Sequence, residues 1–123
     1  MTVKMNAVVD LVGRQQISPD TVDWEPMLVE GCMLEGISMY PLADTAEGWK
    51  SYWMKLNPGV SSIMHRHGST EMVAVVRGSV QDCDGVVFNA PDVILYPAGS
   101  THVLDSTEGC TLLVVESLPS SVV

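Results

Sequence analysis

From about residue 30 onward, short apolar, β-branched or aromatic runs alternate with Gly, Pro and Asn, a pattern that predicts strands separated by turns. The predicted strands are Ile37–Tyr40, Trp49–Leu56, Ser62–His67, Met72–Val76, Ser79–Asp82, Val86–Asn89, Val93–Tyr96 and Thr111–Glu116. Helix is scarce, because no segment keeps a 3.6-residue apolar stripe beyond two turns without a breaker. Trp49–Leu56 sets Trp49, Ser51, Trp53 and Lys55 on one face and Lys50, Tyr52, Met54 and Leu56 on the other. Neither face is wholly polar, as expected of a strand between two layers. Asn57-Pro58-Gly59 has the chemistry of a tight turn, and Asp82-Cys83-Asp84-Gly85 that of a hairpin loop. The coarse prediction is an all-β sandwich or barrel.

Residues 1–30 read differently. Val8 to Val12 suits a short strand or a helical turn, and Ser18-Pro19-Asp20 is turn chemistry. We expect an N-terminal arm over 1–30 packing on a β-body over 31–123, one domain overall.

The chain has 123 residues, enough for a core without staples. Six basic and fifteen acidic side chains give a net charge of −9, a field that repels phosphate backbones and anionic lipid surfaces. Nucleic acid and membrane are therefore not expected as partners. Cys32, Cys83 and Cys110 are odd in number and lack C-x2-C spacing, which fits reduced thiols. With no signal peptide or apolar span in view, the expected location is the cytoplasm.

The chemistry is concentrated in two short patterns. Gly59 to Gly78 reads G-x5-H-x-H-x3-E-x6-G, with His65, His67 and Glu71; Pro97-Ala98-Gly99-Ser100-Thr101-His102 reads P-x-G-x2-H. All three histidines of the protein fall in these patterns. Side chains two apart on a strand share a face, so His65 and His67 point the same way. Glu71 opens the next strand, and Pro97 and Gly99 shape a bend ahead of His102. Three imidazoles and a carboxylate suit a divalent transition metal, with iron, zinc, manganese and nickel all compatible and one ion expected per chain.

These two patterns resemble the paired motifs of the cupin superfamily, small double-sheet jelly-roll β-barrels. The first matches throughout. In the second, Pro91 stands where the opening glycine is usual, and Ser106 replaces the usual asparagine after the histidine. Within the superfamily, Leu56-Asn57-Pro58-Gly59, the Pro97–His102 turn and the Ser106–Cys110 tail resemble the cupin domain of zinc-dependent anti-sigma factors. Acetylacetone and dihydroxyacetophenone dioxygenases are similar in outline. The resemblance implies a mononuclear centre with His65, His67, Glu71 and His102 as ligands.

Three functions are compatible with that centre. The first is an Fe(II)-dependent dioxygenase that cleaves a carbon–carbon bond in a small diketone or hydroxyketone. The second is a zinc- or ligand-sensing regulatory module; about thirty residues precede the β-body, fewer than a separate helical sigma-binding domain would need. The third is a metal-dependent isomerase or lyase. A small-molecule substrate or ligand is expected, with Trp53, Met54, Lys55, Met64, Met72 and Tyr96 as candidate walls of its pocket. The apolar Trp49–Leu56 strand and the sheet edges point to a homodimer.

Overall fold

A computed structural model describes residues 7–9 and 13–123 of the chain. Among these, every regular element is a strand. In chain order they are β1 (Ala7–Val9), β2 (Gln15–Ile17), β3 (Glu25–Val29), β4 (Cys32–Asp44), β5 (Lys50–Leu56), β6 (Val60–Ser61), β7 (His65–Arg66), β8 (Glu71–Asp82), β9 (Val87–Asn89), β10 (Val93–Tyr96), β11 (Thr101–His102), β12 (Leu104–Ser106), β13 (Cys110–Glu116) and β14 (Ser121–Val122). With no helix among the described residues, none is long and apolar enough to cross a membrane.

The strands curl into an antiparallel jelly roll. The main sheet runs β3-β4-β5-β13-β8-β12-β6, with β9 and β10 also paired to β8; β11-β7-β14 form a second sheet and β1-β2 a separate ribbon. Of the Val8–Val12 segment, Val8 and Val9 lie in β1, and residues 10–12 are outside the described residues. Glu25–Val29, inside the stretch expected to be an arm, pairs with β4 as the edge strand of the main sheet.

Period-2 alternation decides which side chains face inward. Tyr52, Met54 and Leu56 on β5, Val73 and Val75 on β8, and Leu112 and Val114 on β13 line the interior, and Leu112 is wholly buried. Each such aliphatic side chain contributes about 1.5–3 kcal/mol on burial. The mixed pattern of Trp49–Leu56 is thereby resolved: Tyr52, Met54 and Leu56 face the barrel interior.

Two strand expectations need correction. Ser62–His67 is not one strand, because pairing covers Val60–Ser61 and His65–Arg66 while Ser62–Met64 carries the chain between sheets. Ser62 anchors that crossing, its N–H donating to the Leu104 carbonyl at 2.8 Å and its hydroxyl accepting the Leu104 N–H at 2.9 Å. Conversely, Met72–Val76 and Ser79–Asp82 are one strand, β8. It passes from the β13 ladder to β9 and β12 around Gly78, whose φ of 75° is left-handed and whose α-carbon faces the Gly109 carbonyl too closely for any side chain.

Candidate metal centre

The ladder between β7 and β11 places His65 directly opposite His102. His67 follows β7, and its backbone is fixed by two hydrogen bonds: its N–H donates to the Ser100 carbonyl at 2.9 Å, and its carbonyl accepts the Gly99 N–H at 2.8 Å. The turn expected from Pro97 and Gly99 therefore brings the second pattern alongside the first. Glu71 begins β8 on its inner face. One ligand-type atom from each of His65, His67, Glu71 and His102 lies within 4.8 Å of the other three.

The imidazoles meet through their Nε2 atoms. His102 Nε2 lies 2.7 Å from His65 Nε2 and 3.0 Å from His67 Nε2, and His67 Nε2 lies 3.2 Å from Glu71 Oε1. The opposite ring nitrogens explain the orientation. His65 Nδ1 sits 2.8 Å from the Ile63 carbonyl, an acceptor only, so it carries the proton. Ser100 Oγ donates to the Pro97 carbonyl at 2.6 Å and accepts from His67 Nδ1 at 2.9 Å. His102 Nδ1 makes no hydrogen bond among the described residues, and the carboxylate of Asp82 lies 3.5 Å away. With protons assigned to Nδ1, three Nε2 lone pairs converge on one point. They repel one another unless a cation occupies it, so the residues present fit a divalent metal.

Electrostatics agree with that arrangement. Burial, and then the neighbouring His65, depress His67 to about 4; burial and the charges of His65 and His67 bring His102 to about 4. Both rings are thus neutral near pH 7 and able to ligate. Burial and the facing Glu116 raise Glu71 to about 8, and burial raises Glu116 as well, so without a cation the two carboxyls retain a proton. Glu116 lies one step beyond the Val115↔Met72 pair of the β13-β8 ladder, which brings it beside Glu71. Burial raises Asp82, but the Tyr96 hydroxyl, which donates to it at 2.6 Å, and the Cys83 N–H outweigh burial and hold the carboxyl below its usual range.

Beside the cluster is a cavity of about 400 Å³, with His65, Glu71 and His102 in its wall. Of the six candidate wall residues, Met54 lines it. Trp53, Lys55, Met64, Met72 and Tyr96 do not. Trp53, Lys55 and Met72 occupy the alternate positions of β5 and β8, and the Lys55 ammonium sits 4.9 Å over the Trp24 ring. Met64 is 41% exposed. Tyr96 packs behind the centre, its ring 4.1 Å from that of His102 and 5.0 Å from that of His67. Not foreseen from the sequence were Ser100, which orients His67, Asp82, which faces His102, Glu116, and the segment Pro119–Val122 in the cavity wall. Period-2 counting along Leu112, Val114 and Glu116 was the signal available for Glu116.

A family model described as ChrR Cupin-like domain matches residues 12–118. No curated protein matches the chain. Among solved structures, an acetylacetone dioxygenase from Acinetobacter johnsonii is similar with a TM-score of 0.74 at 16% identity, over 88% of this chain and 75% of that one. A Ralstonia eutropha protein of unknown function with a cupin-like fold gives 0.65 at 20% identity, over 72% of this chain and 59% of that one. A chain in the complex of Rhodobacter sphaeroides SigE with the anti-sigma ChrR gives 0.68 at 18% identity, over 80% of this chain and 50% of that one.

Proposed function

Because this chain belongs to the ChrR cupin-like family, we propose that it holds one divalent transition metal through His65, His67, Glu71 and His102. In this reading it is an iron-dependent dioxygenase that cleaves a carbon–carbon bond in a small diketone or hydroxyketone. The observation that carries it is the convergence of three Nε2 atoms at the wall of an apolar cavity.

His65, His67, Glu71 and His102 would hold the ion, and on a six-coordinate ion such as Fe(II) four protein ligands would leave two positions for substrate oxygens or dioxygen. When bound, iron would supply Lewis acidity and access to oxygen chemistry.

The chain's own residues do the rest. Ile63 and Ser100 hold the rings of His65 and His67 in the ligating orientation, and the Asp82 carboxylate faces His102 Nδ1 at 3.5 Å. Leu34, Met39, Met54, Leu104 and Leu112 exclude water from the reacting face. Glu71 must give up its proton for the centre to load.

Likeness to the acetylacetone dioxygenase structure supports the substrate class, and likeness to the anti-sigma complex favours a second reading, a regulatory module in which the same centre biases a protein partner. Val93 and Leu95, exposed on the edge strand β10, support a homodimer, and the −9 charge with free cysteines supports a cytoplasmic setting without nucleic acid or membrane partners.

The test is anaerobic Fe(II) loading followed by oxygen-uptake measurements on a panel of β-diketones. Uptake coupled to loss of diketone is the expected result, abolished in His65→Ala. Silence across the panel, with iron verified in the site, overturns the dioxygenase reading.

A further inference from the structure

The cavity opens between two sheet edges. Among the described residues β3 pairs with β4 alone and β14 with β7 alone, so each leaves one edge free. Most of the cavity lining is buried or half-buried. Its exposed members are Leu28 and Glu30, on and just after β3, and Pro119, Ser121 and Val122, in and just before β14. The mouth therefore lies where Pro119–Val122 faces β3, and Val122 is paired in the β7–β14 ladder with His65 of the cavity wall.

Pro119–Val122 is held at its two ends and by little between them. Past Ser120 it has the two residue pairs with β7 and the Val123 N–H, which donates to the Met64 carbonyl at 3.3 Å. Apolar burial adds little there, since Val122 is 41% exposed and Leu118 57%. Ahead of Pro119 the anchor is Ser69. Its Oγ accepts the Ser117 N–H at 3.1 Å and the Leu118 N–H at 2.9 Å and donates to the Leu118 carbonyl at 3.4 Å, so its one proton and both lone pairs are engaged by two residues. Next to it, a β-carbon on Gly68 would stand 2.6 Å from the Pro119 carbonyl oxygen and 3.2 Å from Leu118 Cβ. Gly68 lacks the left-handed φ of Gly59 or Gly78, so it is this close approach, and not its own backbone, that excludes a side chain.

From this geometry we infer that Pro119–Val122 is a flap over the mouth of the cavity, turning about Leu118, and that Gly68 and Ser69 are positioning residues that hold it closed. Both stand between His67 and Glu71, so one short loop serves the centre and the way into it. The inference rests on the proposed metal centre for what the flap guards. A flap that opens ahead of entry scales the rates of entry and exit alike and leaves their ratio, the affinity, unchanged. Damage to the ligands acts differently, because weaker coordination speeds release without speeding uptake.

The experiment measures zinc uptake and release by stopped flow near neutral pH, release being read with excess chromophoric chelator. It compares the wild-type protein with Gly68→Ala, Ser69→Ala and Ser69→Thr, with circular dichroism alongside. Gly68→Ala pushes the Pro119 carbonyl away and Ser69→Ala removes the anchor, so each is expected to raise uptake and release together by about fivefold or more, with their ratio within about twofold of wild type. Ser69→Thr keeps the hydroxyl and should match the wild-type rates within about twofold. Release that quickens while uptake does not, or unchanged rates in the folded alanine variants, overturns the inference. A wild-type protein that takes up no zinc instead overturns the proposed centre, and the flap is then read without metal. Carbethoxylation of His65, located by mass spectrometry, is expected to be about fivefold faster or more in both alanine variants, and equal rates overturn the flap as well.

Discussion

Free of metal, this protein should have a stability maximum near pH 6.5, with decline on both sides. In the folded chain His67 and His102 are held near pH 4 against an ordinary value of 6.5, and Glu71 is lifted from 4.5 to about 8. A histidine whose folded value is depressed loses stability as pH falls from its unfolded value toward its folded one. A carboxyl whose folded value is raised loses stability as pH rises from its unfolded value toward its folded one. Between pH 4.5 and 6.5 the unfolded chain therefore binds two imidazole protons that the folded chain refuses, while the folded chain keeps one carboxyl proton that the unfolded chain has released. The net difference of about one proton makes stability rise with pH, by about 3 kcal/mol across that interval. From pH 6.5 to 8 only the carboxyl contributes, and stability falls by about 2 kcal/mol. All three side chains are at most 5% exposed, so solvent screens little of this. A bound divalent ion displaces the Glu71 proton and requires neutral rings, so loading should abolish the alkaline decline and steepen the acid one. Urea unfolding followed by the fluorescence of Trp24, Trp49 and Trp53, at pH 4.5, 6.5 and 8 with and without chelator, measures both curves. A chelated protein whose stability climbs steadily through pH 8 would refute the assignment of a retained proton to the Glu71–Glu116 pair.

Two further expectations concern the support of the centre. Tyr96→Phe removes the donor to Asp82, a charge-assisted hydrogen bond of 2.6 Å, and should cost about 1.5–3 kcal/mol in urea unfolding and weaken metal affinity about 10–100-fold by competition with a chromophoric chelator. Gly78→Ala forces a left-handed residue to carry a β-carbon into the Gly109 carbonyl, so a loss of at least about 2 kcal/mol is expected, and an unchanged urea midpoint would contradict that account of the β8 bend.

The four clustered residues were legible from their spacing in two short patterns, although what joins those patterns, the β7–β11 ladder and the bonds of His67 to Ser100 and Gly99, links segments far apart in sequence. The cavity wall was less so. Trp49–Leu56 is apolar on both faces, and only the packing of β5 between β4 and β13 decides that Tyr52, Met54 and Leu56 face inward. Pro41 ended the Ile37–Tyr40 expectation, yet β4 continues past it because the register with β5 shifts there, a place where a missing N–H is tolerated. Glu25-Pro26-Met27-Leu28-Val29 and Ser117-Leu118-Pro119-Ser120-Ser121 carry prolines and polar residues that do not read as strand. Both are placed by partners distant in sequence, β4 for the first, and for the second Ser69, whose hydroxyl accepts the Ser117 and Leu118 N–H groups.

β7 is held by two residue pairs to β11 and two to β14, and both ladders include His65. Ribbons this short have little cohesion of their own. An ion bridging His65 and His102 would rivet one of them directly and, through β7, steady the other, so its departure would first be felt at the end of the chain that walls the cavity. The centre and this part of the cavity wall thus hang on one short strand.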